Sequence, residues 1–320
     1  MKFGNIELER GIALAPMAGF SDYAMRRICR EYGAEYSVTE MVSAKATVYN
    51  DKKTLTLARI TKDEAPTAIQ IFGSEPSVMA EAAGILSEYS GGGALPVAID
   101  INMGCPVHKI FSNGEGSALM KRPDLIYDIT RAVATATALP TTVKIRLGID
   151  SEHINAVECA IAAEEAGAAA ITVHGRTRAQ LYSGKADMEK VADVKRSVHI
   201  PIFANGDITS AEDAMRVLSI TGADGIMIGR GAVGNPFLFS EIKAMLSGED
   251  YAEPTPDERK AAALTQLSYA IADKGEFVAV REARGQLAKY FHGFRGSAEL
   301  RAKINRAESR EEIEAAITAL

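Results

Sequence analysis

Cysteine is scarce in this 320-residue chain: there are three, with no paired spacing between them. That excludes a disulfide framework and agrees with a reducing compartment. Long apolar runs are missing too, none approaching the roughly 18 residues that a membrane-crossing helix needs. Residues 1–10 are charged and unlike a secretion signal. The expectation is a cytoplasmic protein with no membrane association, no metal site and no stable protein partner. Positive charge is in deficit: 36 Lys and Arg against 42 Asp and Glu leave a net charge of −6. This argues against a general nucleic-acid-binding domain, since such domains are usually basic. Only a local basic surface could support RNA binding. Low-complexity sequence is confined to Gly91-Gly92-Gly93.

What the chain does have is apolar sequence in a repeating order. With 47% hydrophobic and 24% charged residues it can bury a sizeable core, and its length exceeds one ordinary compact domain. Eight short β-branched or apolar runs occur at 12–15, 36–39, 67–71, 97–101, 142–145, 170–173, 201–204 and 225–228. Most are followed by Ala-rich helical patterns, such as 77–88, 124–137, 154–165 and 210–218. The runs are nearly continuous instead of strictly alternating, as expected of parallel strands covered on both faces. Eight strand–helix alternations predict an α/β fold, a (β/α)8 TIM barrel over roughly residues 1–240. After Pro236 strand signals stop. Pro254 and Pro256 punctuate a linker, and helical patterns follow at 255–273, 277–291 and 310–320, the first with a Thr255/Glu258 capping box. Residues 241–320 therefore read as a small C-terminal helical domain.

In such barrels the active site forms at the carboxyl ends of the strands. The residues there are Pro16-Met17-Ala18, Glu40, Gln70, Asn102 with Cys105, Lys144 with Arg146, His174 with Arg176, Asn205-Gly206-Asp207 and Gly229-Arg230. One polar residue at a strand end is ordinary loop chemistry; eight sets at the barrel period mark a site. After the seventh and eighth strands, glycines let backbone N–H groups approach an anion, Arg230 adds charge, and Thr209 and Glu212 have capping-box spacing. A phosphate held there suits flavin mononucleotide. Gln70 can donate and accept at the flavin's pyrimidine edge, and Lys144 can hold charge that develops on reduction. Two other readings of Lys144 are an interior salt bridge to Glu40 or Asp100 and a Schiff-base lysine.

Cys29 and Cys159 sit in helix-like segments and read as buried structural thiols. Cys105 differs, because Gly104 and Pro106 fix a turn that presents its thiol above the barrel. Such a thiol serves proton transfer or nucleophilic attack, the latter with His108 or His174 as base. Spacing alone does not decide between them.

At these residues the chain resembles the tRNA-dihydrouridine synthases, particularly bacterial sequences with a DusB-like pattern. The matching segments are residues 14–19, 100–106, 116–119, 143–146, 173–178, 205–208 and 227–230. The resemblance implies that 1–240 is a flavin-binding catalytic barrel and 241–320 a tRNA-binding domain. It also implies the reaction: FMN-dependent reduction of the uracil C5–C6 bond in tRNA to 5,6-dihydrouridine, with hydride from flavin N5 to C6 and a proton from Cys105 to C5. NADPH or NADH re-reduces the flavin. It assigns Pro16, Met17, Ala18, Gln70, Lys144, His174, Asn205, Gly206, Asp207, Gly229 and Arg230 to flavin, and Asn102 and Arg178 to the uracil edge. Two departures stand out: Met25 where the family's early motif has phenylalanine, and Glu115 in a loop that is often glycine-rich or basic. Segment 281–310, with eight Lys or Arg against three Glu, supplies the local basic surface, and Tyr290, Phe291 and His292 within it are expected to offer stacking faces. Competing readings are a flavin barrel acting on a free pyrimidine, like dihydroorotate dehydrogenase, and a non-catalytic RNA-binding module.

Overall fold

The computed structural model of the chain describes residues 1–64 and 66–320. A short antiparallel hairpin, β1 (Lys2–Phe3) and β2 (Ile6–Glu7), precedes eight parallel strands. These are β3 (Ile12–Leu14), β4 (Tyr36–Ser43), β5 (Thr67–Phe72), β6 (Ile99–Asn102), β7 (Thr141–Arg146), β8 (Ala170–His174), β9 (Ile202–Asn205) and β10 (Gly225–Ile228). They close in the order β10-β3-β4-β5-β6-β7-β8-β9. The expected TIM barrel is present. Parallel strands need long crossovers, and helices supply them: α1 (Tyr23–Glu31), α2 (Ala44–Val48), α3 (Lys52–Leu57), α4 (Pro76–Ser87), α5 (His108–Ser112), α6 (Pro123–Ala136), α7 (Ala156–Glu165), α8 (Met188–Ser197) and α9 (Ala211–Thr221), with α10 (Phe237–Ser247) following the last strand.

The nearly continuous apolar runs resolve into two faces. Successive strand residues point to opposite sides. Ile69 and Ile71, Ile99 and Ile101, Val143 and Ile145, and Ile171 and Val173 pack outward into the layer between strands and helices. Facing inward, Ala13, Val38, Ala68, Ala98, Ala170 and Phe203 share a second cluster with Phe3 and Ile6 of the hairpin. Phe3 meets Tyr36 and Phe203 edge-on, at centroid distances of 5.5 and 5.9 Å. The hairpin thus plugs the amino-terminal end of the barrel, where small lumen residues leave room for aromatic rings. The same inward register, carried to the other end, delivers Gln70, Asn102, Lys144, His174 and Asn205 to the open mouth.

On α1, Arg26 makes a buried ion pair with Glu64 at 2.7 Å and donates to the Ser21 and Arg59 carbonyls, while Glu64 also accepts from the Thr61 amide. Removing one partner strands a buried charge. Glu64→Ala is therefore expected to destabilise the fold by about 3–5 kcal/mol, read from urea unfolding, whereas the double change Arg26→Met with Glu64→Leu loses far less. Equal losses would show that packing, not charge, holds this contact.

Residue 240, the expected boundary, lies inside α10, whose Leu238, Phe239 and Ile242 belong to the barrel core, so the barrel's last helix runs on to Ser247. The tail comprises α11 (Pro256–Lys274), α12 (Glu276–Leu287), a 3₁₀ turn (Ala288–Phe291), α13 (Ser297–Arg306) and α14 (Arg310–Thr318). Thr255 and Glu258 form the expected capping box at α11. The tail's own core recruits Phe237 and packs against Tyr32 of the barrel. Across this junction Lys274 pairs with Asp22 at 2.6 Å, and Arg59 with Asp273 at 3.1 Å. One expectation fails here: Tyr290 and Phe291 are 1% and 0% exposed. They fill the tail core, with Tyr290 donating to Gln266 Oε1 at 2.6 Å, and cannot stack on a base. Only His292 of that trio is exposed. Among the described residues no helix is long and apolar enough to cross a membrane.

Candidate active site

The mouth of the barrel opens into a cavity of about 800 Å³. Pro16, Met17, Ala18, Gln70, Lys144, His174, Asn205, Gly206, Asp207, Gly229 and Arg230, all eleven residues expected to hold a cofactor, line it, together with Asn102 and Cys105. Arg178 does not line it: its guanidinium lies over the Phe111 ring at 4.0 Å, and its buried Nε has no partner.

On the β5–β6 side a chain of hydrogen bonds fixes the side chains. Buried Asp100 accepts from Thr142 Oγ1 at 2.5 Å and from Gln70 Nε2 at 2.6 Å. Gln70 Oε1 in turn accepts from Asn102 Nδ2 at 2.7 Å, and Asn102 Oδ1 accepts from the Gly104 and Cys105 amides at 3.2 and 2.9 Å. These bonds set both amide orientations. The Gln70 NH2 keeps one hydrogen for the cavity, while the second Asn102 hydrogen rests on the soft acceptor Met41 Sδ at 3.7 Å. Asn102 thereby pins the turn bearing Cys105. From the other side, Arg146 Nε donates to the Gly104 carbonyl at 2.8 Å, and Ser117 Oγ to the Cys105 carbonyl at 2.8 Å. The thiol is half-buried, and burial pushes its pKa up, against smaller opposing effects of the Val107 amide and Arg146. At neutral pH it is protonated. Cys29 and Cys159 are buried in the core, as read from their helical settings.

On the β7–β10 side the charge is positive. Lys144 Nζ donates to Asn205 Oδ1 at 3.0 Å, and Asn205 Nδ2 to the Met227 carbonyl at 2.6 Å. Glu40 is engaged elsewhere, accepting from the Gly19 amide at 2.5 Å, and the Asp100 oxygens are taken by Thr142 and Gln70. The interior salt bridge considered for Lys144 does not form. Burial, reinforced by Arg146 and opposed by Asp100, lowers its pKa from 10.5 to about 7. His174 is held neutral, first by burial and then by Lys144, Arg146, Arg176 and Arg230, and its Nδ1 is buried without a hydrogen-bond partner.

The turn after β9 is backbone under constraint. Gly206 has φ +132°, and a Cβ there would meet the Ala186 Cβ at 2.8 Å. Asp207, at φ +49°, adopts a left-handed conformation unusual for a side-chain-bearing residue. Its carboxylate is clamped by Arg176 Nη2 and the Ala186 amide, both at 2.8 Å. The expected Thr209/Glu212 box does not form. Ser210 caps α9 by accepting from the Asp213 amide, and Asp213 accepts from Thr209 in return. The cap lies one residue later because Thr209 is still in the turn. Arg230 lies over the Tyr182 ring at 4.4 Å and 3.9 Å from Asp207.

Sequence reasoning placed Arg146 in the strand-end set without giving it a role and did not single out Met41, Phe20, Tyr182 or, as a site residue, Lys289, all of which also line the cavity. Arg146 follows Lys144 by two residues in the same inward register, and its bond to the Gly104 carbonyl is its role here. Lys289 was out of reach, because only tertiary packing brings the tail to the mouth.

A family profile described as dihydrouridine synthase matches residues 13–320. A probable tRNA-dihydrouridine synthase of Rickettsia conorii is 44% identical over 95% of this chain and 91% of its own length. The tRNA-dihydrouridine synthase B of Pseudomonas syringae pv. tomato is 40% identical over 97% and 91%, and that of Pseudomonas putida 41% identical over 96% and 90%. Among solved structures, histamine dehydrogenase from Rhizobium sp. 4-9 superimposes with a TM-score of 0.56 at 14% identity, over 84% of this chain and 50% of that one, a likeness of fold. The chain belongs to the dihydrouridine synthase family, with DusB-like bacterial sequences among its relatives.

Proposed function

We propose that this chain reduces uridine in tRNA to 5,6-dihydrouridine, using FMN in the barrel mouth and NADPH or NADH as the source of electrons. The observation that carries the reading is the placing of a protonated, half-buried thiol on a turn tied down from both sides, over the same cavity that contains a buried lysine with a depressed pKa. The residues fit a flavin. Lys144 has no carboxylate partner and titrates near 7, so negative charge developing on a flavin would hold its proton; His174 carries an unpartnered buried Nδ1, and Gln70 keeps one N–H for a heteroaromatic edge. The Gly206 and Gly229–Arg230 turns offer backbone and charge to a phosphate. Bound there, the flavin supplies the hydride that adds to uracil C6. Cys105 Sγ holds the proton that goes to C5, and Asn102 fixes where that proton is presented; its second N–H, held only by Met41 Sδ at 3.7 Å, would turn to the uracil edge by leaving that weak acceptor. A substrate contact by Arg178 requires that side chain to leave Phe111. The strand-end chemistry makes the chain an enzyme instead of a passive RNA-binding module, and the basic tail distinguishes it from a reductase of free pyrimidines. Sequencing dihydrouridine sites in tRNA from cells lacking the protein, with and without the restored gene, tests this; an unaltered dihydrouridine pattern refutes it.

Lys144 makes a second prediction. In the folded, flavin-free protein it gives up its proton near pH 7, and in the unfolded chain only near 10.5. Between those values the unfolded chain binds the extra proton, so the contribution of Lys144 to stability falls as pH drops from about 10 to 7 and does not recover below that. Lys144→Met removes this cost. The flavin-stripped variant is expected to melt higher than its parent at pH 7, by about 2–4 °C for each kcal/mol relieved, yet to purify colourless. An unchanged flavin content would exclude Lys144 as a cofactor contact.

A further inference from the structure

We infer that Lys289 carries the tail into the catalytic cavity to neutralise a phosphodiester of the RNA backbone beside the uridine presented to Cys105, an assignment that rests on the function proposed above. Lys289 is the one cavity-lining residue that comes from the tail. Its place is fixed by packing: the next two residues, Tyr290 and Phe291, are buried, and Gly234 of the barrel abuts the turn so closely that a Cβ there would lie 2.5 Å from Lys289 Cβ and 2.7 Å from the Tyr290 amide nitrogen. Gly234 also has φ +73°, so glycine is required twice over.

The ammonium has no carboxylate partner among the described residues. It lies over the Phe20 ring, 5.4 Å from the centroid, a weak contact that an anion would displace. Asp207, the acidic residue of the cavity lining, is already bound to Arg176. An exposed, unneutralised cation at the mouth suits a phosphate. Two could come there, one from the cofactor and one from the RNA. The RNA phosphate is favoured because Lys289 is exposed and is delivered by the basic tail, whereas the glycine turns and Arg230 are the groups proposed above for the cofactor phosphate. A nucleotide turned out of its stack puts the base inside and leaves its phosphates at the rim.

The experiment measures tRNA binding by anisotropy across a salt series, alongside KM for tRNA and flavin content, for the parent, Lys289→Ala and Lys289→Arg. The expected result for Lys289→Ala is about tenfold weaker tRNA binding and a matching rise in KM. Its slope of log K against log salt should be shallower by about 0.7–0.9, with flavin content and spectrum as in the parent, and Lys289→Arg should recover most of the affinity. An unaltered slope overturns the assignment. So does loss of flavin from Lys289→Ala, which would make the residue a ligand of the cofactor's phosphate. The binding arm needs no turnover, so a parent protein that binds tRNA but makes no dihydrouridine would defeat the proposed function while the Lys289 result could still be read.

Discussion

Cys105→Ala is expected to slow uridine reduction by about 10²- to 10⁴-fold while the bound flavin is still reduced by NADPH or NADH. The residues that line the flavin side, among them Lys144, His174 and Asn205, are untouched by the change, and the turn keeps its backbone anchors to Asn102 Oδ1, Arg146 and Ser117. Only the proton donor is lost. The pH profile adds a second readout. An acid works only while protonated, so the parent's rate should fall as pH rises through the thiol pKa, which burial has moved above its ordinary value of 9.0. In Cys105→Ala that descending limb should vanish. Normal uridine reduction by the variant, or a limb that persists, would remove Cys105 from the proton-donor role. A nucleophilic role predicts instead a thiol poised as thiolate, the opposite of what burial does here.

The second large effect concerns the tail. Arg281, Arg295, Arg301 and Arg306 are exposed, and none is paired with a carboxylate among the described residues. Changing all four to glutamate is expected to weaken tRNA binding by at least about 100-fold at 0.1 M salt and to flatten its salt dependence by about three units, since each phosphate contact contributes roughly 0.7–0.9 to the slope. Gel-shift titration at several salt concentrations reads both quantities. Affinity within a few-fold of the parent would move the RNA surface elsewhere. Deleting the tail is a poorer test than this charge reversal. Phe237 sits in the tail core and Tyr32 packs against it, so truncation would bare barrel residues and confuse instability with lost binding.

The barrel was legible in the sequence because most strands repeat the same physical compromise, a large aliphatic residue outward and a small or functional one inward, with Phe203 of β9 and Met227 of β10 as inward exceptions. That register also made Gln70, Asn102, Lys144, His174 and Asn205 readable as one set. The hairpin β1–β2 escaped because two-residue strands carry no periodicity. α13 escaped because its apolar positions, Leu300 and Ile304, are few among charged residues. Tyr290 and Phe291 were misread for a related reason: a basic stretch looks solvated as a whole, yet helical packing turns individual residues inward. Cys105 could be separated from the other two thiols by its Gly104 and Pro106 neighbours, but its protonation state depends on burial, which sequence does not report.

The shared core at Phe237 and Tyr32, the ion pairs Lys274–Asp22 and Arg59–Asp273, and the close approach at Gly234 join tail to barrel before any RNA arrives. With both ends fixed, the spacing between the tail's cations and the thiol acts as a gauge. If tRNA is the substrate, this gauge selects a uridine by its distance from the part of the RNA that the tail grips, and the adjustment needed to bring that uridine inside is made by the RNA.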